Sequence, residues 1–216
     1  MPNLPLSTVL SLSNAQIVIE IAATVAFAMS GLLEAARKRL DAIGVVMVAG
    51  LTAFGGGTLR DVLLDRRPFF WVEHSNWLWL LLAVCACAMA FLRAQHFAPT
   101  ERAMQWPDAL GLGLFTATGT QIALDASMPA IVAVVMGMMT AAFGGVLRDI
   151  VCNEIPRAFS DHQPYAICAF VGAWVIVVSE ALQAPDWLVL TLGAGTTVLL
   201  RMLAIRTGWK LPGWRA

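Results

Sequence analysis

Charge is scarce in this 216-residue sequence: Asp, Glu, Lys and Arg together make up 13% of it, about half the roughly 25% of an ordinary soluble domain. A soluble fold this poor in charge could not cover its own surface with polar groups. The net charge is zero, so no global field selects nucleic acid or an anionic partner. No basic, aromatic-laced face for nucleic acid is present either. Histidine is sparse as well, and His74, His96 and His162 stand at no spacing that would ligate a metal. Cys85, Cys87, Cys152 and Cys168 form no C-x-x-C pair, which leaves them as small apolar packing residues rather than a redox or metal site. P-loop, H-E-x-x-H and G-x-S-x-G motifs are missing. The chain is therefore not expected to be an enzyme, to carry a cofactor, or to hold a metal beyond ions in transit.

What is abundant is apolar surface. The sequence is 59% hydrophobic with a mean hydropathy of +0.74, and its apolar runs are long enough to cross a hydrocarbon core of about 30 Å. Seven runs, at 15–33, 42–64, 77–92, 108–124, 129–151, 165–182 and 187–204, predict an all-α membrane protein with seven transmembrane helices. Charged or proline-bearing turns separate them, and Trp71, Trp77, Trp79, Trp106, Trp187, Trp209 and Trp214 fall near their ends, as an interfacial belt requires. The first residues lack a basic region and a small-residue cleavage site, so they read as a short leading segment rather than a cleaved signal. With the N-terminus outside, the cytoplasmic side holds ten basic residues (Arg37, Lys38, Arg39, Arg93, Arg102, Arg157, Arg201, Arg206, Lys210 and Arg215), against Arg66 and Arg67 outside. This asymmetry predicts a multi-pass protein of the inner (plasma) membrane with a cytoplasmic C-terminus.

The chain also repeats itself at an offset of 88 residues. Thr52-Ala53-Phe54-Gly55-Gly56-Gly57-Thr58-Leu59-Arg60-Asp61 aligns without gaps to Thr140-Ala141-Ala142-Phe143-Gly144-Gly145-Val146-Leu147-Arg148-Asp149. The same register pairs Glu20 with Asp108, Phe27 with Phe115, Ser30 with Thr118, Gly31 with Gly119 and Pro68 with Pro156. The organisation is one transmembrane domain over 1–216, with a first repeat at 15–94, a second at 103–182 and a seventh helix at 187–206. Each repeat has three spans, and three is odd, so the second copy must enter the membrane from the opposite side. Inverted repeats recur in proteins that move solutes across bilayers, because they place similar groups on both approaches to one central path.

Glycines mark where that path could run. Gly55, Gly56 and Gly57 in the second span, and Gly144 and Gly145 in the fifth, each weaken a helix by about 1 kcal/mol relative to alanine and permit a kink. An opened backbone survives at membrane depth where it is buried in protein or faces water, and it can then offer carbonyl oxygens to a cation. Close helix packing through small residues is the plainer role for such glycines. Their recurrence in both repeats favours pore lining, together with the hydroxyls of Ser30, Thr52, Thr118 and Thr140, which can alternatively bond back to their own helices. Arg60, Asp61, Arg148 and Asp149 lie about 6 Å beyond the glycines and are expected to flank the two mouths. Neighbours on a helix point about 100° apart, so Arg60 and Asp61 are expected to pair with different partners. Glu20 is a candidate to attract cations at the outer mouth. Asp108 opens the fourth span from the other side, where an N-cap role would explain it.

Two copies of Gly-Gly-x-x-Arg-Asp on an inverted three-plus-three-plus-one plan resemble the prokaryotic branch of the trimeric intracellular cation (TRIC) channels, over about residues 15–206. The resemblance implies a homotrimer in the lipid bilayer with a separate pore in each protomer. The broken second and fifth helices would line it with the first and fourth, and monovalent cations, chiefly potassium but also sodium, would pass. The basic, voltage-linked residue of animal members has no counterpart, since 108–124 contains no Lys or Arg. Some bacterial relatives are described as glycine transporters, so a carrier of glycine or another small zwitterion is the alternative. A non-transporting membrane scaffold is a third.

Overall fold

The computed structural model describes residues 6–94, 101–160 and 164–210, with side chains described for 16–90, 103–159 and 164–210. Every regular element among them is helical. Seven are long: α1 (Leu6–Arg37), α2 (Ala42–Leu63), α4 (Asn76–Ala94), α5 (Glu101–Asp125), α6 (Ala130–Val151), α8 (Ala166–Ala181) and α9 (Asp186–Thr207). Two single turns, α3 (Phe70–Glu73) and α7 (Arg157–Ser160), follow α2 and α6. Local chemistry sets the boundaries. Asp41 caps α2 by accepting the Gly44 N–H at 2.7 Å. Pro129 and Pro185 precede α6 and α9, and Gly208 ends α9 at φ 64°. Non-glycine residues in the left-handed region close the other central helices, and they come in pairs 88 residues apart: Arg39 (54°) with Ser127 (59°), and Asp65 (51°) with Asn153 (55°).

Two boundaries differ from expectation. Helix α1 begins at Leu6, well before residue 15, and α5 begins at Glu101 and carries Pro107 inside it. Pro107 is the seventh residue of α5, beyond the first four whose N–H groups lack an intrahelical acceptor, so it forgoes one backbone bond while the polar stretch ahead of the apolar run still winds. Asp108 is therefore inside α5, and its expected N-cap role is overturned.

Among the described residues, four helices are long and apolar enough to cross a membrane: Gln16–Arg37, Ala42–Leu63, Ala130–Val151 and Asp186–Thr207. Asn76–Ala90 and Ala166–Ala181 are apolar but shorter. The surface is correspondingly apolar, with Ile43, Trp79, Val18 and Leu199 at 75, 72, 63 and 65% exposure, while Arg60, Arg148 and Arg201 rank among the largest fully buried side chains. A chain that exposes leucines and buries arginines is adapted to lipid outside and paired charge inside. Arg201, counted in the sequence among cytoplasmic charges, is instead buried on α9, with its guanidinium carbon 4.9 Å from the Tyr165 ring centroid.

Helices α1, α2, α5 and α6 pack on one another at the centre, with α9 against α5 and α8, and α4 at the edge of α2. The centre is built on an approximate two-fold. At one end of the α1–α5 pair Gln16 donates to Asp125 (3.0 Å), and at the other Ser30 donates to Asp108 (3.3 Å), so the leading helices of the two repeats run antiparallel. A methyl added to Gly56 would lie 1.9 Å from the Thr140 carbonyl oxygen, and one added to Gly144 would lie 2.2 Å from that of Thr52. Helices α2 and α6 thus cross antiparallel at backbone contact. Gly31 against Thr52 and Gly119 against Thr140 repeat a second such contact between α1 and α2 and between α5 and α6. Phe27 and its equivalent Phe115 meet each other, ring centroids 5.4 Å apart.

Candidate functional site: two charge clusters and a glycine crossing

At the end of α2, Arg60 donates from Nη1 to Glu20 Oε1 (2.7 Å) and from Nε to Asp61 Oδ1 (2.9 Å), while its Nη2 lies 2.8 Å from the same Asp61 oxygen as an ion-pair contact without a hydrogen bond of its own. The other Asp61 oxygen accepts the Phe70 N–H that opens α3 (3.1 Å). At the end of α6 the arrangement recurs. Arg148 donates from Nη1 to Asp108 Oδ1 (2.5 Å) and to Ser30 Oγ (2.5 Å), and from Nε to Asp149 Oδ1 (2.9 Å). Asp149 Oδ2 accepts the Arg157 N–H that opens α7 (3.0 Å). All six charged residues are at most 9% exposed.

The expectation that Arg60 and Asp61 take different partners is therefore corrected. Their Cα–Cβ bonds do diverge, but the arginine stem is long enough to curl back, and each arginine binds its own neighbour as well as a carboxylate of the repeat's first helix. Each cluster sets two carboxylates on one guanidinium. The doubled motif also has a plain structural duty, since each aspartate staples the turn that leads to the next helix.

The clusters differ in access to water. The first borders a cavity of about 240 Å³ whose lining includes Gln16, Glu20, Asp61, Arg66, Glu73 and His74. The half-exposed Arg66 lies 3.7 Å from Asp61 there. The second is enclosed by Ser30 and by Tyr165, which is 4% exposed.

Between the clusters lies packed protein. Helices α2 and α6 are α-helical without interruption through both glycine runs, so the unwound backbone expected from the sequence is not present. The physical reason is the crossing itself: Gly56 and Gly144 let two intact helices touch backbone to backbone, where a side chain would hold them apart. Gly57 packs on the Phe70 ring and Gly145 on the Tyr165 hydroxyl. Gly55 instead faces outward, onto an apolar surface groove shared with Phe143 and Leu147. Thr52, Thr118 and Thr140 bond back to Val48 (2.6 Å), Leu114 (3.3 Å) and Met136 (2.7 Å) carbonyls. Of the four hydroxyls predicted, Ser30 joins a charge cluster. The rings of Phe27 and Phe115, both fully buried, fill the remaining centre.

Several residues that matter here carried no motif in the sequence. Tyr165 and Arg201 frame the second cluster, Arg66, Glu73 and His74 line the cavity, and Glu34 (1% exposed) is buried with Arg37 at 2.7 Å and Arg157 at 3.4 Å. The 88-residue offset carried an available signal for the cavity, since it sets Glu73-His74 against Asp161-His162 and Trp77 against Tyr165. Asp161 and His162 lie outside the described residues.

Known proteins resemble this chain over most of its length. A family model described as "Glycine transporter" matches residues 17–95 and again residues 105–181. A UPF0126 membrane protein of Vibrio cholerae is 34% identical over 198 residues, covering 90% of this chain and 80% of the relative. The UPF0126 inner membrane protein YadS of Escherichia coli is 33% identical over 195 residues, covering 90% of this chain and 93% of the relative. Among solved structures, the TRIC trimeric intracellular cation channel orthologue from Rhodobacter sphaeroides superposes with a TM-score of 0.83 at 34% identity, over 90% of this chain and 99% of that one. A prokaryotic TRIC channel crystallised in 0.5 M KCl gives 0.84 at 26% identity, over 92% and 100%.

Proposed function

The chain belongs to the bacterial membrane-protein family of the glycine-transporter model, the UPF0126 proteins and the prokaryotic TRIC channels, and from that premise we propose that it is a passive channel for monovalent cations, chiefly potassium. The observation that carries the reading is the likeness, at 34% identity over nine-tenths of the chain, to a protein solved as a cation channel. The two carboxylate-rich clusters fit it, since each sets two carboxylates on one guanidinium at a place an approaching cation would meet. Seven helices cross the membrane in this reading, as two inverted repeats at 15–94 and 103–182 with a seventh helix at 187–206. The N-terminus is outside, and three copies assemble with a pore in each.

The route runs between the clusters along α1, α2, α5 and α6. Gly56, Gly57, Gly144, Gly145, Thr52, Thr140, Ser30 and Thr118 border it, with Gly55 at its edge. Glu20, Arg60 and Asp61 stand at the outer mouth, and Asp108, Arg148 and Asp149 at the inner one. The described conformation is closed at the centre by Phe27 and Phe115. Conduction then requires α2 and α6 to part at their glycine contact and the two rings to turn aside. Lowering that barrier by about 1.4 kcal/mol would raise flux tenfold. Phe27→Ala and Phe115→Ala proteins, reconstituted in liposomes, should therefore leak potassium about tenfold faster than wild type. Unchanged rates in both, with folding intact, would remove the rings from the route.

The description of the family model favours a second reading, a glycine carrier. The outer cavity holds both signs a zwitterion needs, Arg66 for a carboxylate and Glu20 or Glu73 for an ammonium. Saturable glycine uptake by liposomes that pass no potassium would select that reading. A scaffold would pass neither.

A further inference from the structure

The two mouths are built from equivalent positions but are not closed alike. At the outer one, Gln16 and Ile122 line a cavity beside Glu20 and Asp61. At the 88-residue offset Met104 replaces Gln16 and Glu34 replaces Ile122. Met104 is 1% exposed, and the Glu34 side chain is fully buried near the end of α1. Arg157, on the first residue of α7, reaches Glu34 Oε2 with Nη2 (3.4 Å) and Met104 Sδ with Nη1 (3.5 Å). Its backbone N–H is the group held by Asp149. The residue in that backbone role at the outer mouth is Phe70, whose ring lies 5.6 Å from Arg60. One mouth is thus covered by a ring that leaves a cavity open, the other by an arginine that ties α1 to α7 across Met104. Lys38 and Glu154 add an ion pair at the exposed rim.

We propose that Glu34 and Arg157 form a latch on the cytoplasmic mouth alone, so that the inner end opens only when this ion pair separates, while the outer vestibule stays wet. The latch rests on the reading that a route joins the two clusters. A carboxylate buried as fully as Glu34 is stable when its cations stay in place, and losing one is costly; that makes the closed mouth a discrete state rather than a loose one. The bland alternative is a tie that merely fastens α7 to α1 and moves with neither opening nor flux.

Cys152 reports which holds. It caps α6 at 7% exposure, among Glu34, Lys38, Arg148 and Asp149, and burial pushes its thiol above the usual range. In a Cys85→Ala/Cys87→Ala/Cys168→Ala background, a membrane-impermeant methanethiosulfonate added on the side of the α1–α2 loop should label Cys152 slowly. Arg157→Gln and Glu34→Gln should each speed labelling at least tenfold, Arg157→Lys should return it to the slow rate, and Glu154→Gln, which removes the rim pairs with Lys38 and Arg37 but leaves Arg37 and Arg157 on Glu34, should leave it slow. Arg157→Gln changes a side chain on the single turn α7 rather than on a long helix, and decides the matter if Glu34→Gln does not insert. Labelling as slow in Arg157→Gln as in its parent, or as fast in Glu154→Gln as in Arg157→Gln, overturns the latch. The readout needs no current, so a protein that labels as expected but conducts no ion would retain the latch and lose the channel.

Discussion

Replacing Arg148 by alanine should be the most damaging single change in the protein. Asp108 and Asp149 would be left without their cation in a site 4% and 2% exposed, and breaking a buried ion pair by removing one partner costs about 3–5 kcal/mol. The Arg157 N–H would keep Asp149 half satisfied, but Asp108 would exchange its guanidinium for the neutral hydroxyl of Ser30. Arg60→Ala should be milder, because Glu20 borders the outer cavity and can take water in place of the guanidinium. Thermal unfolding in detergent should therefore rank wild type above Arg60→Ala, and Arg60→Ala above Arg148→Ala. Adding Asp108→Asn to Arg148→Ala should recover part of the loss, since the uncompensated charge goes with it. If Arg148→Ala melts with wild type, the cluster is not the staple described above.

The second large effect lies at the crossing. Gly56→Ala and Gly144→Ala would drive a methyl onto the carbonyl oxygens of Thr140 and Thr52, at 1.9 and 2.2 Å. Both obstacles are backbone and cannot swing aside, so α2 and α6 must separate. Overpacking of this kind costs typically about 1–3 kcal/mol and occasionally more. Gly195→Ala is the matched control: no atom lies within 4 Å of the added methyl, and the helix gains up to about 1 kcal/mol of propensity. Unfolding measurements on the three variants should show two losses and no loss for the third. If Gly56→Ala and Gly195→Ala melt alike, the close antiparallel contact does not exist in solution. Under the proposed function the same two substitutions should also raise resting ion leak, because they start the separation that conduction requires.

The sequence alone carried the all-helical membrane class and the duplication, and it carried them for different reasons. Apolar length marks a helix whatever its neighbours are, so each of the seven runs falls on a long helix of the fold to within one residue or inside it, four of those helices being long and apolar enough to cross a membrane among the described residues. The register from Glu20 to Pro68 marks symmetry because three spans per copy force inversion, and the Gly56–Thr140 and Gly144–Thr52 contacts are its image in space. Side-chain partners were harder to read. Glu20 and Arg60 are forty residues apart in sequence, and no pattern states that an arginine will fold back on the aspartate beside it. Asp108 looked like a cap because the apolar run starts there, yet a polar stretch can precede an apolar one in the same helix. Glycine runs were ambiguous in kind: the same residues permit an unwound strand of backbone or a close approach of two intact helices, and only the neighbour decides. Phe27 and Phe115 were marked only as an equivalent pair, because nothing in a list of residues says that two equivalents will meet on the axis.

The most direct test is a planar bilayer holding the purified protein between unequal KCl solutions. The account predicts discrete unitary currents that reverse close to the potassium equilibrium potential and shift little when chloride alone is replaced by a larger anion. Bilayers that stay silent, while the same preparation accumulates glycine saturably in liposomes, would contradict it.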